Sequence, residues 1–206
     1  MFANPNIQFY LLGYLVGGIP FGFLLAKYFG KVNIREVGSR SVGGTNVLRA
    51  LKETNPTLAK KLAFSTVLLD ASKGLAVIAL ASLMGFDAIV QWTIGVCAVL
   101  GHCFSPYLKF EGGKGVATAV GVMVWFLPLE VLLALIAWVV LGKTLKISSV
   151  SSLGALVVFI ISSYIFHANM PQIQTHAPIF IISFIIVYKH IPNIIRLFSG
   201  QEKRVI

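Results

Sequence analysis

Of 206 residues, 57% are hydrophobic and only 12% charged, about half the charged share of a soluble globular domain; so little charge excludes a water-facing surface and points to a lipid-facing one. Seventeen Lys and Arg against seven Asp and Glu leave a net charge of +10. In so apolar a chain that excess selects anionic lipid or anionic small molecules and excludes nucleic acid as a partner.

A helix crosses the hydrocarbon core with about 20 apolar residues, in a range of about 17–25. Seven stretches are expected to span: residues 4–28, 60–84, 88–106, 116–127, 129–141, 149–166 and 177–191. No basic residue precedes the first, so it lacks the charged start of a signal peptide and is expected to stay as an anchor. The second contains Asp70 and Lys73, whose spacing puts both on one helix face. Ionisable groups at membrane depth face the bundle interior or a wet cavity, so the pair either locks the bundle or supports a site. Cys97 and Cys103, in or beside the third stretch, form neither a CxxC pair nor a zinc pattern and read as packing residues. The fourth and fifth stretches are short and meet at Pro128 and Glu130, which predicts two spans joined by a tight external turn.

The connectors divide by charge. Sixteen of the seventeen cations fall between spans one and two, three and four or five and six, after span seven, or at the adjoining ends of those spans. The other connectors, residues 1–3, 85–87, the Pro128 turn and 167–176, hold no Lys or Arg. The positive-inside rule then sets the N-terminus outside and the C-terminus in the cytoplasm. The expected fold class is an all-α integral membrane protein of seven transmembrane helices, with glycine-rich cytoplasmic loops forming the site.

Three cytoplasmic segments are unlike ordinary connectors. In residues 37–49, three glycines accompany Ser39, Thr45 and Asn46, with Arg40 and Arg49 supplying charge. Backbone N–H groups of Gly43 and Gly44 there make an anion site, or the loop simply meets lipid head groups. In residues 110–118, Gly112, Gly113, Lys114 and Gly115 run directly into an apolar helix containing Thr118. That puts Lys114 at a helix N-terminus, again the geometry of a phosphate or carboxylate site, although an interfacial anchor on a tight turn has the same pattern. In residues 188–196, His190, Asn193 and Arg196 step by three along one face, with Pro192 fitting the first turn of a new helix.

Other chemistries are excluded. There is no GxxxxGK[ST] loop, no aspartate cluster for Mg²⁺ and no HExxH or His–Cys cluster for zinc, so neither metal nor other cofactor is expected. None of His102, His167, His176 and His190 is followed four residues later by Asp, the base arrangement of soluble-type lipid acyltransferases, and no Ser sits in GxSxG.

The segments GSRSVGGTN (38–46), LLDASKG (68–74), FEGGKGVAT (110–118) and KHIPNIIRLFSGQE (189–202) together resemble the acyl-phosphate-dependent glycerol-3-phosphate acyltransferases, the PlsY family. The resemblance runs from the first span to Glu202 and implies a single membrane-embedded acyltransferase domain over residues 1–206. It implies a multi-pass enzyme of the bacterial inner membrane with its site facing the cytoplasm. Such an enzyme moves a fatty acyl group from acyl phosphate to the first hydroxyl of glycerol 3-phosphate, giving lysophosphatidate. Acyl phosphate is already activated, so the enzyme must chiefly hold two repelling anions together, where proximity alone is worth about 7–11 kcal/mol. Lys114, Arg49 and Arg196 would supply cations, and Ser39, Gly43, Gly44, Thr45 and Asn46 a phosphate or oxyanion cradle. The proton of the attacking hydroxyl goes to His190 or to the substrate's phosphate; the phosphate is favoured, because no carboxylate lies near His190 in sequence. A competing class is an organic-anion carrier, but the polar groups crowd one side and no internal repeat is present.

Overall fold

The protein is described by a computed structural model covering residues 4–204, so the expected cation-free segment at residues 1–3 lies outside the described residues. Among the described residues there are nine α-helices and no strand: α1 (Pro5–Gly18), α2 (Phe21–Tyr28), α3 (Gly44–Leu51), α4 (Pro56–Leu83), α5 (Ala88–Cys103), α6 (Val116–Phe126), α7 (Pro128–Leu145), α8 (Ser148–Phe166) and α9 (Ala177–Phe198).

The first apolar stretch is not one rod. Pro20 brings no N–H to continue the ladder, so the chain breaks between α1 and α2, and carbonyls at the break need other donors. Ser105 Oγ donates to Gly18 O at 2.6 Å and Lys73 Nζ to Ile19 O at 2.8 Å. The break therefore places two acceptors at the depth of the buried lysine.

α4 is continuous through Asp70; it starts earlier than the hydropathy suggests because Asn55 Oδ1 accepts the Leu58 N–H at 3.0 Å and Pro56 opens the first turn. α9 also runs on past its expected end. Pro192 lies inside it and starts no new helix, so His190, Asn193 and Arg196 share one continuous helix.

Among the described residues, six segments are long and apolar enough to cross a membrane, α1 and α2 counting as one. α6 is the exception: eleven residues, or about 16 Å at 1.5 Å per residue, fall well short of the hydrocarbon thickness. The outward faces are lipid-like, with Leu83, Ile165 and Phe184 at least 70% exposed.

Two cores hold the bundle. The larger joins α4, α5, α6 and α9 through Ile78, Ile94, Val99, Val122 and Ile182. The smaller packs Ala26, Ile34, Val42, Val47, Leu51 and Leu62 together, and so fastens the first glycine-rich loop onto α2, α3 and α4. Between α1 and α5, glycines take the place of side chains: a Cβ on Gly17 would overlap the backbone of Ala98, and one on Gly101 that of Tyr14.

Candidate active site

A cavity of about 240 Å³ opens where the three polar segments meet. The N-termini of α3, α6 and α8 converge on it through Gly44 and Thr45, Gly115 and Val116, and Ser148 and Ser149. None of these three ends has a side-chain cap; α2, α7 and α9 also lack one, while α1, α4 and α5 are capped by Asn4, Asn55 and Asp87. Uncapped N-termini leave backbone N–H groups and the positive end of the helix dipole free for an anion.

Asn46 shapes the first loop. Its Nδ2 donates to the carbonyls of Ile34, Val37 and Ser41 at 2.9–3.1 Å, and its Oδ1 accepts the Ser39 N–H at 2.9 Å. With its amide committed to the loop and 1% exposed, Asn46 fixes where Ser39 and Gly43 stand. Thr45 and Ser148 hydroxyls meet at 3.1 Å and tie α3 to α8. Arg35 reaches Glu111 at 2.7 Å and links the first loop to the second, an exposed pair of small energetic weight.

Lys114 projects into the cavity from the second loop, just before Gly115, whose φ of +82° sets the turn into α6. It makes no hydrogen bond or ion pair with a described residue. Burial pushes its ammonium down to about 8, with Arg196 and Arg49 adding to the fall and Glu202 opposing it. An unpaired, half-buried cation beside Arg49 is arranged to receive an anion.

From α9, His190 Nδ1 donates to Ile186 O at 2.8 Å, because a carbonyl only accepts; Nε2 therefore carries the lone pair. His190 and Asn193 line the cavity; Arg196 does not, and instead donates from Nε to Glu202 at 2.8 Å. Glu202 also accepts from Ser149 Oγ at 2.8 Å and Asn193 Nδ2 at 2.6 Å. Burial raises the Glu202 carboxyl, but hydrogen bonds from Asn193, Ser149 and Arg196 outweigh it and hold the group below the ordinary carboxylate range. The carboxylate thus buckles the tail back onto α8 and α9.

Of the residues expected from sequence, Ser39, Gly43, Gly44, Thr45, Asn46, Arg49, Asp70, Lys114, Gly115, His190 and Asn193 line the cavity. Gly112 and Gly113 lie behind it against His102, and Thr118 is buried where Gly74 of α4 meets α6. Lys73 lies below, 2.8 Å from Asp70. Among the lining residues that escaped the sequence reading are His102, Ser148, Ser149, Ser152 and Glu202. Only Glu202 left a trace there, as a lone acid after the third segment.

A sequence profile described as glycerol-3-phosphate acyltransferase matches residues 7–200. The chain is 61% identical to the glycerol-3-phosphate acyltransferase of Campylobacter lari, over 98% of this chain and 99% of that one. It is 59% identical to that of Wolinella succinogenes, over 99% and 98%. The crystal structure of PlsY (YgiH), an integral membrane glycerol 3-phosphate acyltransferase in its glycerol 3-phosphate form, superposes with a TM-score of 0.86 at 33% identity, covering 98% of this chain and 96% of that one. Its lysophosphatidic acid form gives a TM-score of 0.82 at 32% identity, covering 98% and 95%. An all-helical membrane bundle whose cavity is built from uncapped helix ends and unpaired cations thus has a family to match its chemistry: this chain belongs to the glycerol-3-phosphate acyltransferases.

Proposed function

We propose that residues 1–206 act as one membrane-embedded enzyme that transfers a fatty acyl group from acyl phosphate to the sn-1 hydroxyl of glycerol 3-phosphate, releasing lysophosphatidate and inorganic phosphate. The observation that carries the reading is the unpaired Lys114 beside Arg49, among three uncapped helix N-termini, in one cavity. That set of donors suits two phosphate groups held close together.

A smaller apolar cavity of about 50 Å³ adjoins the first, sharing Val116, Val120, Ala134, Ser152 and Ala155 and continuing to Met123 and Phe159. Its lining suits the start of an acyl chain. In the reaction, the glycerol hydroxyl oxygen bonds to the acyl carbon, the bond from that carbon to the phosphate oxygen breaks, and the hydroxyl proton ends on the departing phosphate. The Nε2 lone pair of His190 accepts a hydrogen bond from the second hydroxyl of glycerol 3-phosphate and so orients the acceptor, while a phosphate oxygen takes the proton of the attacking hydroxyl. Lys114, Arg49 and the backbone of Gly43, Gly44, Thr45 and Gly115 stabilise the phosphates and the developing oxyanion, and Gly112 and Gly113 hold the second loop against His102. Ser39 donates from the loop that Asn46 holds, Asn193 orients Glu202, Arg196 screens the mouth, and Thr118 steadies the α4–α6 seam.

The site faces the cytoplasm of the bacterial inner membrane, with seven crossings and the N-terminus outside. Sixteen cations on one set of connectors support this orientation. α6 completes the count although it is short, because the glycine-rich loop before it covers the remaining depth. Purified protein given acyl phosphate and glycerol 3-phosphate is expected to release phosphate and form lysophosphatidate without added metal, and acyl-coenzyme A is expected not to replace the donor. Equal turnover with the thioester, or a chelator-sensitive rate restored by Mg²⁺, overturns the assignment.

A further inference from the structure

Beneath the second glycine-rich loop lies a polar cluster that the reaction above leaves unused. Lys73 Nζ on α4 stands 2.8 Å from Asp70 Oδ1, 2.8 Å from Ile19 O and 3.0 Å from His102 Nδ1 on α5. An ammonium has three N–H donors and no lone pair. The Lys73–His102 bond therefore runs one way, and Nδ1 accepts. Asp70 Oδ1 stands 3.6 Å from that nitrogen, too far to take a proton from it in a hydrogen bond. A neutral ring whose Nδ1 accepts carries its proton on Nε2.

That N–H has a defined place to go. His102 is 5% exposed and is among the residues that line the main cavity. Nε2 makes no hydrogen bond with a described residue. It lies against the bare Cα of Gly113, where a Cβ would collide with it, and the Gly113 N–H in turn donates to His102 O at 3.0 Å. Glycine at 113 is what allows the ring to stand so close to the chain that presents Lys114.

We propose that His102 is a substrate-contacting residue of this site, whose Nε2–H, fixed as a donor by Lys73, gives a hydrogen bond to an anionic oxygen of the substrates at the 112–115 loop. The inference rests on this cavity being the acyltransferase site. Two histidines then face one cavity with opposite polarity: His190 presents a lone pair at Nε2, and His102 presents a proton. The anionic oxygen belongs either to a phosphate or to the tetrahedral intermediate, both of which need a donor there. Asp70, held 2.8 Å from Lys73, keeps the ammonium compensated at this depth.

The first test needs no variant of the working enzyme. Nitrogen-15 spectra of histidine-labelled protein in detergent are expected to show His102 protonated at Nε2 and bare at Nδ1, with the Nε2 signal moving on addition of glycerol 3-phosphate; His102→Gln serves only to assign the signal. A proton on Nδ1, or an Nε2 signal unmoved by saturating glycerol 3-phosphate and inorganic phosphate, overturns the proposal. The second test separates donor from scaffold. His102→Asn keeps an acceptor for Lys73 and removes the donor, and kcat/KM is expected to fall by roughly tenfold or more, the scale of one hydrogen bond to a charged group. His102→Gln, whose amide N–H reaches toward the place of Nε2, is expected to recover most of that loss. A fall carried by KM identifies a phosphate oxygen, and one carried by kcat the intermediate; an Asn variant as active as the parent overturns the contact. Turnover by the unmodified enzyme tests the acyltransferase reading separately, so the two can fail independently.

Discussion

Glu202 and Glu130 are both almost out of reach of water, with side chains 7% and 1% exposed, yet they are held in opposite ways. Glu202, just past α9, accepts hydrogen bonds from Ser149, Asn193 and Arg196, which belong to α8 and α9. Glu130, in the first turn of α7, has no hydrogen bond to either oxygen among the described residues; His167 Nε2 stands 3.0 Å from Oε1 but is not aligned to donate. Its compensation is mainly the N-terminal end of its own helix. One carboxylate organises three segments around a cavity, while the other is a local feature of a helix end. Burial alone therefore says little about function; what separates the two is how many elements each one ties.

That comparison can be broken in several ways, the first of them all-or-none. Single cysteines at Thr175 and Gly200, in a background lacking Cys97 and Cys103, are expected to react with an impermeant reagent from opposite sides of the membrane. Reaction of both from one side would put the two ends on the same face and remove the contrast.

Glu202→Ala should have the next largest effect. Removing one member of a buried charged network costs about 3–5 kcal/mol, toward the lower end here because Arg196 keeps some contact with water. Activity is expected to fall about a hundredfold, with a lower unfolding temperature in detergent. An active, stable variant would show that the network does not hold the site.

Lys114→Ala is expected to lose at least roughly tenfold in kcat/KM, the scale of one charged hydrogen bond to phosphate. Lys143→Ala, a lysine outside the cavity, should stay within about twofold, as surface substitutions usually do. With the Lys114 ammonium at about 8, activity should decline as pH rises through that value. Its folded value lies below the ordinary one, so between the two the unfolded chain holds more protons and this group's contribution to stability rises with pH while activity falls. Lys114→Arg should move the alkaline decline upward; an unchanged profile assigns that limb to another group.

Glu130→Gln should do least. It keeps the shape of a buried group whose oxygens have no hydrogen-bond partner among the described residues, so activity is expected to stay within about threefold and the unfolding temperature to hold or rise. A collapse comparable to that of Glu202→Ala would make the two carboxylates equivalent after all.

Much of the site was legible because its residues come in local clusters. Glycines beside Lys114, the step of three through His190, Asn193 and Arg196, and the Asp70–Lys73 spacing are short-range patterns, and each puts its residues on one turn or face. His102 was hidden because its partner Lys73 lies 29 residues away, and only packing of α5 on α4 reveals the contact. Glu202 was hidden because a tail residue gains meaning only when the chain folds back onto α8. Hydropathy located six long apolar segments where seven spans were expected, and it missed the break at Pro20, whose freed carbonyls are matched by Ser105 and Lys73 from elsewhere in the chain. Pro192 misled in the other direction: near the end of a long apolar helix its ring was absorbed without a break.

The glycine seam between α1 and α5 has a consequence in time. Gly17 and Ala98 touch so closely that no side chain fits between them, yet about eighty residues separate them in the chain. In lipid, where apolar burial does not drive helices together, such close backbone contact is a main source of association. At about 5–20 residues per second, α1 waits roughly 4–16 s for its partner to be made. A bulky residue at Gly17 would therefore act first on the nascent chain, leaving α1 with nothing to dock against, and its mark would be a shortage of protein in the membrane more than a slow enzyme.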